Sequence, residues 1–169
     1  MALNFANNNS LSAISAKPSG LSGGSMNLIS TQTASSSSTI SFTSGIDSTY
    51  DEYVFKYYNI HPATDNADFE FNMTIDGTNW NVTKTTTTFY SYHMEDNSGA
   101  GLTYEAAYDL AQGTGFQYLA ADIGNGNDES ASGSMVLYNP SSTTFVKHFL
   151  HSGNRYVGSN ISANDFVAG

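Results

Sequence analysis

From Met26 onward, apolar and polar residues alternate along much of the chain, with the period of two that marks a strand half-buried in a sheet. The clearest case is residues 68–75 (DFEFNMTI), where four apolar side chains fall on one face and four polar ones on the other. Residues 39–43 (TISFT) show a shorter version of this pattern. We therefore predict antiparallel strands at both places.

Turn signals and longer apolar runs predict further strands. Asp76-Gly77 directly follows residues 68–75, and Asp-Gly between alternating segments favours a tight hairpin because its turn needs positive φ. The second strand of that hairpin would lie between Trp80 and Tyr92. Residues 52–61 (EYVFKYYNIH) are apolar or aromatic on both faces, which predicts an inner strand covered from each side. The remaining strands are predicted at 130–139, at 143–151, near 154–158 and at 161–167.

One segment indicates a helix. Phe116, Leu119, Ala120 and Ile123 recur at i, i+3, i+4 and i+7, and Gly124 follows as a stop signal. We expect this short helix over 116–123 to cover one edge or end of the sheets. Many short strands separated by turns predict that residues 26–169 form an all-β domain, an antiparallel β-sandwich of jelly-roll type.

The first 25 residues differ from the rest, because their few apolar side chains are spread among Asn, Ser and Gly. Such a segment cannot form a core alone, and two interpretations are open. It is a flexible tail, or it is an extended arm that docks on a neighbouring subunit. In the second case the anchoring side chains are expected to be Leu3, Phe5, Leu11 and Ile14.

Composition narrows the class of partner. Ser, Thr and Asn supply 58 of the 169 residues, whereas charged residues make only 12%, so uncharged hydroxyls and amides must cover the surface. The net charge of −10 disfavours nucleic acid and anionic membranes as partners, since five scattered cations cannot neutralise a run of phosphates. No secretion signal or membrane-spanning run is evident. The absence of Cys excludes disulfides, thiolate zinc sites and cysteine nucleophiles.

The titratable residues form no pattern typical of catalysis. His148 and His151 are three apart on a predicted strand and would face opposite sides, so we expect no zinc site. Glycoside hydrolysis needs two facing carboxylates, and no pair stands out among Glu70, Glu95, Asp96 and Glu105. The loops 124–130 and 95–99 carry acids and amides that suit calcium, but they lack the spacing of a calcium loop and are expected to be solvated turns. We therefore expect no enzyme activity, no cofactor and no metal.

The stretch from Leu28 to Phe149 resembles a family of small proteins encoded by marine tailed bacteriophages and cyanophages, which are largely uncharacterised virion proteins. The resemblance rests on LISTQTASSSSTISFTSGIDSTYDEYVFKYYNIHPATDNADFEFNMTIDGTNWNVTKTTTTFYSYH, DLAQGTGFQYLAADIGNGNDES and LYNPSSTTFVKHF. It implies a structural subunit of a phage particle and no catalytic residue. Family members continue past the Phe-Val-Ala-Gly at the end of this sequence with one or two more strands, so a position in the sheet is expected to be empty if those strands are lacking here.

Two functions follow as hypotheses. The first is a virion subunit, assembled in the host bacterial cytoplasm, anchored by residues 1–25 and presenting its β-sandwich outward. A tail or tail-fibre component is slightly favoured over a capsid decoration protein. The alternative is a carbohydrate-binding adhesin module for host surface glycans, in which Trp80, Tyr90 and Tyr92 stack on sugar rings. Two-sided apolar strands at 52–61 and 143–151 also predict a homo-oligomer, and a trimer is favoured by analogy with phage appendages.

Overall fold

The computed structural model of the protein describes residues 26–158 and 160–169. The chain divides into two units, residues 1–34 and residues 35–169. In the first unit, residues 26–34 are exposed and form no strand or helix. The anchors expected at Leu3, Phe5, Leu11 and Ile14 lie outside the described residues, and the docking of that arm stays a prediction.

The second unit is all-β and antiparallel, as predicted. Its eight strands are β1 (Glu52–Ile60), β2 (Ala67–Phe71), β3 (Thr87–Met94), β4 (Ala100–Tyr104), β5 (Gln117–Ile123), β6 (Ala131–Tyr138), β7 (His148–Val157) and β8 (Ile161–Ala168). They are joined in one hydrogen-bonded sheet with the order β1-β6-β7-β8-β3-β4, while β5 pairs with β2 and touches β7 at one position, Ile123 opposite Val157. The two separate sheets of a sandwich and the jelly-roll connections are not confirmed.

The core lies on one side of the six-strand path, which we call the inner face. Tyr53, Met135, Leu137, Phe149 and Val167 are buried there in one cluster with Leu119 of β5. Phe69 and Phe71 of β2 pack against the same cluster, and the rings of Phe71 and Phe149 meet edge to face at 4.9 Å. The β2–β5 pair therefore covers the inner face. The alternation at residues 69–71 correctly predicted that Phe69 and Phe71 face the core.

The helix predicted over 116–123 is wrong, because residues 117–123 form β5. Gln117, Leu119, Ala121 and Ile123 are all buried at a spacing of two, whereas Phe116, the first residue of the expected helical stripe, is 49% exposed. Ala120 is buried as well, so both faces of β5 are covered along part of its length. A strand buried on both faces and a one-sided helix share the same short apolar run, and the period cannot separate them.

The hairpin predicted around Asp76-Gly77 is also wrong, because the strands before and after this turn do not pair with each other. Gly77 does adopt a positive φ of 74°, and Asp76 accepts hydrogen bonds from the backbone N–H groups of Thr78 and Asn79. However, β2 ends at Phe71 and pairs with β5, and the strand after the turn, β3, pairs with β4 and β8. The local turn chemistry was predicted and the strand partner was not. Ile75, assigned to the apolar face, is 94% exposed.

Other boundaries differ in detail. β6 and β8 confirm the strands predicted at 130–139 and 161–167. β1 confirms a strand at 52–61, but it lies at the edge of the sheet and not inside it. The segments expected at 143–151 and 154–158 are one strand, β7, which begins only at His148. Residues 39–43 form no strand, and β4 had not been predicted.

Candidate functional site

The inner face holds a buried ion pair in the middle of the sheet. Arg155 of β7 donates through Nε to Asp165 Oδ2 of β8 at 2.8 Å, and its Nη1 donates to the carbonyl of Ala121. The guanidinium also lies over the Tyr90 ring, 5.5 Å from its centroid. Burial raises the pKa of Asp165, and the adjacent Arg155 opposes that rise. The pair ties β5, β7, β8 and β3 together.

Next to the ion pair, Tyr57 spans two glycines that face each other across β6 and β7. Gly133 and Gly153 are register partners, and a Cβ atom on either one would lie within 2.6 Å of the Tyr57 hydroxyl oxygen. That hydroxyl is hydrogen-bonded to His151 Nε2 at 2.9 Å. Burial and the charge of Asp165 raise the pKa of Tyr57. The glycines are therefore required so that the aromatic ring can lie flat on the sheet.

His151 is the one buried side chain in the described part of the chain whose polar atom has no hydrogen-bond partner there. Its Nδ1 is enclosed without a donor or acceptor, and burial lowers the pKa of the imidazole to about 4. His148, in contrast, is exposed, which confirms that the two histidines face opposite sides of the strand. Within the described ranges the acidic and histidine side chains form no cluster that could hold a metal ion.

A second buried polar group lies at the other end of the inner face. Gln117 is fully buried, its Oε1 accepting a hydrogen bond from Thr86 at 2.6 Å and its Nε2 donating to the carbonyl of Tyr108 at 2.8 Å. Nearby, Lys84 donates to Asn72 Oδ1 and to the Val82 carbonyl, and burial lowers its pKa. Both groups are satisfied by the protein itself, so they hold loops in place and are not arranged to receive a ligand.

The opposite side of the six-strand path, the outer face, carries apolar side chains that the rest of the described residues leave exposed. Phe89 and Phe166 are cross-strand partners with stacked rings at 5.0 Å. With Val136 and Leu150 they line a shallow groove of about 380 Å³. Leu150 is 52% exposed and Phe89 is 40% exposed. We call these four residues the outer apolar patch. Such a patch on a sheet usually marks a surface that another molecule covers.

The side chains of Tyr108, Tyr118 and Asp122 lie close together at β5. The rings of Tyr108 and Tyr118 stack at 4.6 Å, and the Tyr108 hydroxyl donates to Asp122 Oδ2 at 3.1 Å. Burial and the Asp122 charge raise the pKa of Tyr108 to about 12. Burial and the neighbouring Asp68 raise the pKa of Glu70 as well. Glu70 is half-buried here, whereas its strand alternation had suggested a solvent position.

The three aromatics expected to stack on sugars are not gathered at one surface. Tyr90 and Tyr92 are half-buried with ring centroids 6.1 Å apart, and one face of Tyr90 is occupied by Arg155. Tyr92 lies close against Gly101, where a Cβ atom would come within 2.8 Å of its ring. Trp80 is half-buried elsewhere, its carbonyl accepting from Asn72 Nδ2 at 2.6 Å. Their role in glycan binding stays a prediction.

Both acidic loops are held by hydrogen bonds within the chain. In the loop 124–130, Glu129 accepts from the backbone N–H of Gly126, and the Glu129 carbonyl lies 2.7 Å from His61 Nδ1. In the loop 95–99, Asp96 accepts from the backbone N–H of Ser98 at 2.9 Å, and hydrogen bonding from the Ser98 side chain and then from its backbone lowers the pKa of the Asp96 carboxyl. In each loop a carboxylate is thus bound by a backbone amide of the same loop, and the expectation of solvated turns stays a prediction.

Comparison with known proteins returns no relative: no family model, curated protein or solved structure matches the chain. Within residues 26–158 and 160–169 there is also no helix of the length and apolarity that crossing a bilayer requires. The sequence predicts the outer apolar patch only in part, through residues 143–151, which are apolar on both faces and include Leu150.

Proposed function

We propose that the protein is a structural subunit of a tailed-phage particle, anchored by residues 1–25 and presenting its β-domain outward. The observation that carries this proposal is the outer apolar patch. Only 12% of the residues are charged and Ser, Thr and Asn are abundant, yet residues 26–158 and 160–169 leave Phe89, Val136, Leu150 and Phe166 together and uncovered. A subunit that works inside an assembly has neighbours to bury such a surface.

The buried polar groups support the same proposal because their hydrogen bonds stabilise the fold. Arg155, Asp165 and Gln117 are satisfied within the chain and closed off from solvent, so they contribute to a rigid scaffold. In a catalytic site, groups of this kind would face a cleft that admits a substrate. We accordingly propose no enzymatic role. The sandwich expected from the sequence is part of the proposal, with β2 and β5 as the start of its second layer.

The proposal includes self-association. Phe145 and Val146, just before β7, are 71% and 76% exposed, and they adjoin the strand that carries Leu150. We propose that the outer apolar patch and these residues contact neighbouring subunits, in a homo-oligomer for which the trimer rests on analogy with phage appendages alone. A tail or tail-fibre position is slightly favoured over capsid decoration, and copy number separates the two.

Localisation on the particle tests the proposal. Antibodies against the β-domain should label purified particles in electron micrographs. Labelling confined to the tail, with a copy number that is a small multiple of three or six, would place the protein in the tail. Labelling over the head with hundreds of copies would identify a decoration protein. Particles that carry no label, although the infected cells contain the protein, would rule out a virion role.

A glycan-binding module is the second candidate, and the stack of Tyr108 on Tyr118 beside Asp122 favours it. Aromatic rings with a nearby carboxylate are the groups that sugar-binding surfaces use for stacking and hydroxyl recognition. Titration of host polysaccharide into the protein would detect it. Tyr118→Ala should abolish the heat of binding if this surface is used, and Trp80→Ala should do so if the surface expected from the sequence is used. Absence of binding to host polysaccharide would leave only the structural role.

A further inference from the structure

The last strand of the sheet, β4, has one edge that no strand of the described residues occupies. Among those residues it pairs with β3 alone, from Phe89 opposite Tyr104 to His93 opposite Ala100. Beyond its two ends, Glu105 N–H donates to the Thr88 carbonyl at 2.9 Å and Met94 N–H donates to the Gly99 carbonyl at 2.8 Å. These bonds set the phase of the antiparallel ladder, in which alternate residues bond to the neighbour.

Within β4, Gly101 and Thr103 therefore bond to β3, and the other three residues turn their backbone groups away from the sheet. Those residues are Ala100, Leu102 and Tyr104. The result is three N–H donors and three carbonyl acceptors in a row along an exposed edge.

The usual protections of an edge strand are missing from β4. Proteins blunt such edges with charges, prolines or bulges. β4 contains neither a charge nor a proline, its register with β3 runs without a shift, and Leu102 is 72% exposed. The other end of the sheet differs, since β1 carries Glu52 and Lys56 and has a register shift between Tyr57 and Ile60.

We propose that β4 pairs with β4 of a second copy of this chain, antiparallel across a two-fold axis at Leu102. Ala100 and Tyr104 lie two residues to either side of Leu102, so an axis there sets Leu102 against its own counterpart and Ala100 against the counterpart of Tyr104. All three outward-facing residues then fall in hydrogen-bonded pairs, and each pair exchanges two N–H to carbonyl bonds. The two sheets become one continuous sheet across the axis.

The side chains fit this register. Tyr104 faces the same side as Phe89, its register partner, so Ala100, Leu102 and Tyr104 all lie on the outer face. Across the axis a small Ala100 meets a large Tyr104, two leucines meet each other, and no like charges are opposed. The same three residues of both copies face each other in this isologous register. We therefore infer a second copy as the partner, because an arbitrary extended peptide would not present complementary side chains at these positions. The inference concerns the purified protein and does not depend on the virion role.

The net charge of the protein predicts how the β4 pairing should depend on salt concentration. Each chain has a net charge of −10, so two copies repel one another at long range while the β4 edge itself is uncharged. Salt screens that repulsion: the screening length is about 8 Å at physiological ionic strength and becomes shorter as salt is added, so the repulsion weakens. Association through β4 should therefore tighten as salt is added.

Sedimentation equilibrium of the full chain, up to hundreds of micromolar and in low and high salt, tests the inference. We expect a dimer, or a species built from dimers, that strengthens with salt. Leu102→Lys and Leu102→Glu should each be monomeric at concentrations where the wild type is dimeric, because the axis sets like charges together. An equal mixture of the two variants should restore the dimer. Ala100→Lys serves as a second disruptive variant if either of these fails to fold by circular dichroism.

Ile75→Lys is the matched control, because Ile75 is also an exposed apolar side chain, at 94%, but belongs neither to β4 nor to the outer apolar patch. It should leave the β4 pairing intact. A wild-type monomer at every concentration and salt, a Leu102→Lys variant that still dimerises, or a charge-reversed mixture that stays monomeric would each overturn the inference. Dimerisation lost in Leu150→Lys and kept in Leu102→Lys would assign the contact to the outer apolar patch instead.

Discussion

At the scale of single residues, Tyr57 shows how closely the inner face is packed. Its ring occupies the space above Gly133 and Gly153, and its hydroxyl reaches His151. The sequence shows Tyr57 as one aromatic in an apolar strand and the two glycines as unremarkable members of polar segments. Nothing in the local pattern links three residues on three different strands, so this contact could not be predicted from the sequence.

Gly153→Ala should destabilise the protein by roughly 1 to 3 kcal/mol, because its Cβ would lie 2.5 Å from the Tyr57 hydroxyl oxygen and 3.0 Å from His151 Nε2. Gly115→Ala is the control, since a Cβ there meets nothing within 4 Å, and it should change stability little. Urea denaturation gives both values. In a Tyr57→Ala background the cost of Gly153→Ala should shrink. An undiminished cost would show that Tyr57 is not the group that excludes a side chain at residue 153.

His151 should make the protein less stable in acid. Its pKa is about 4 in the folded protein against 6.5 when unfolded, so between these values the unfolded chain binds more protons. The stabilisation from the neutral imidazole is complete above pH 6.5 and is lost as the pH falls to about 4. The loss amounts to about 3 kcal/mol.

This pH dependence is measured as a difference between variants, because carboxylates also titrate over part of the range. Urea denaturation at pH 7 and pH 4.5 should show a markedly smaller pH effect in His151→Gln than in the wild type. His148→Gln, at an exposed position on the same strand, should behave like the wild type. The same pH dependence in all three proteins would contradict a neutral, buried His151.

At the scale of elements, the sequence identified strands well and their partners poorly. Apolar and aromatic residues on both faces located β1, and the sequence also placed strands at β6 and β8. β4 was missed since AGLTY is short and contains no alternation of charge and apolar groups. β2 was paired wrongly because the Asp76-Gly77 turn is local, whereas the β5 partner lies some 50 residues further along the chain.

A pair of substitutions separates the strand at 117–123 from the helix that the sequence suggested. A helix would bury Phe116 and Leu119 together, whereas in the structure Leu119 is buried at 5% exposure and Phe116, just before β5, is 49% exposed. Leu119→Ala should therefore cost about 2 to 5 kcal/mol. Phe116→Ala should cost no more than about 0.5 kcal/mol, as is usual at surface positions. Thermal unfolding monitored by circular dichroism gives the comparison, and equal large losses at both positions would favour the helix.

At the scale of the whole molecule, a surface rich in hydroxyls and poor in charged residues suits the proposed assembly over a range of salt concentrations. The two proposed contacts, burial of the outer apolar patch and backbone pairing at β4, use no attraction between charges. Added salt would not weaken them and would screen the repulsion between chains of net charge −10, whereas exposed ion pairs weaken as salt rises. The only salt bridge among the described residues, Arg155 with Asp165, is buried and thus shielded from screening. The amino-acid composition predicted a surface with few charged residues. The position of the outer apolar patch could not be predicted without the strand order, because its residues come from four different strands.

The most direct test of a particle-bound role compares the full chain with a chain that starts at Met26. Both should unfold cooperatively at the same temperature, because β1 to β8 and the core lie after that point. Both proteins would be expressed during infection, and washed particles would be quantified by mass spectrometry. The account predicts the full chain in particles at a fixed copy number and the shortened chain at background level. Absence of the full chain from washed particles, or incorporation of both chains in equal amounts, would contradict it.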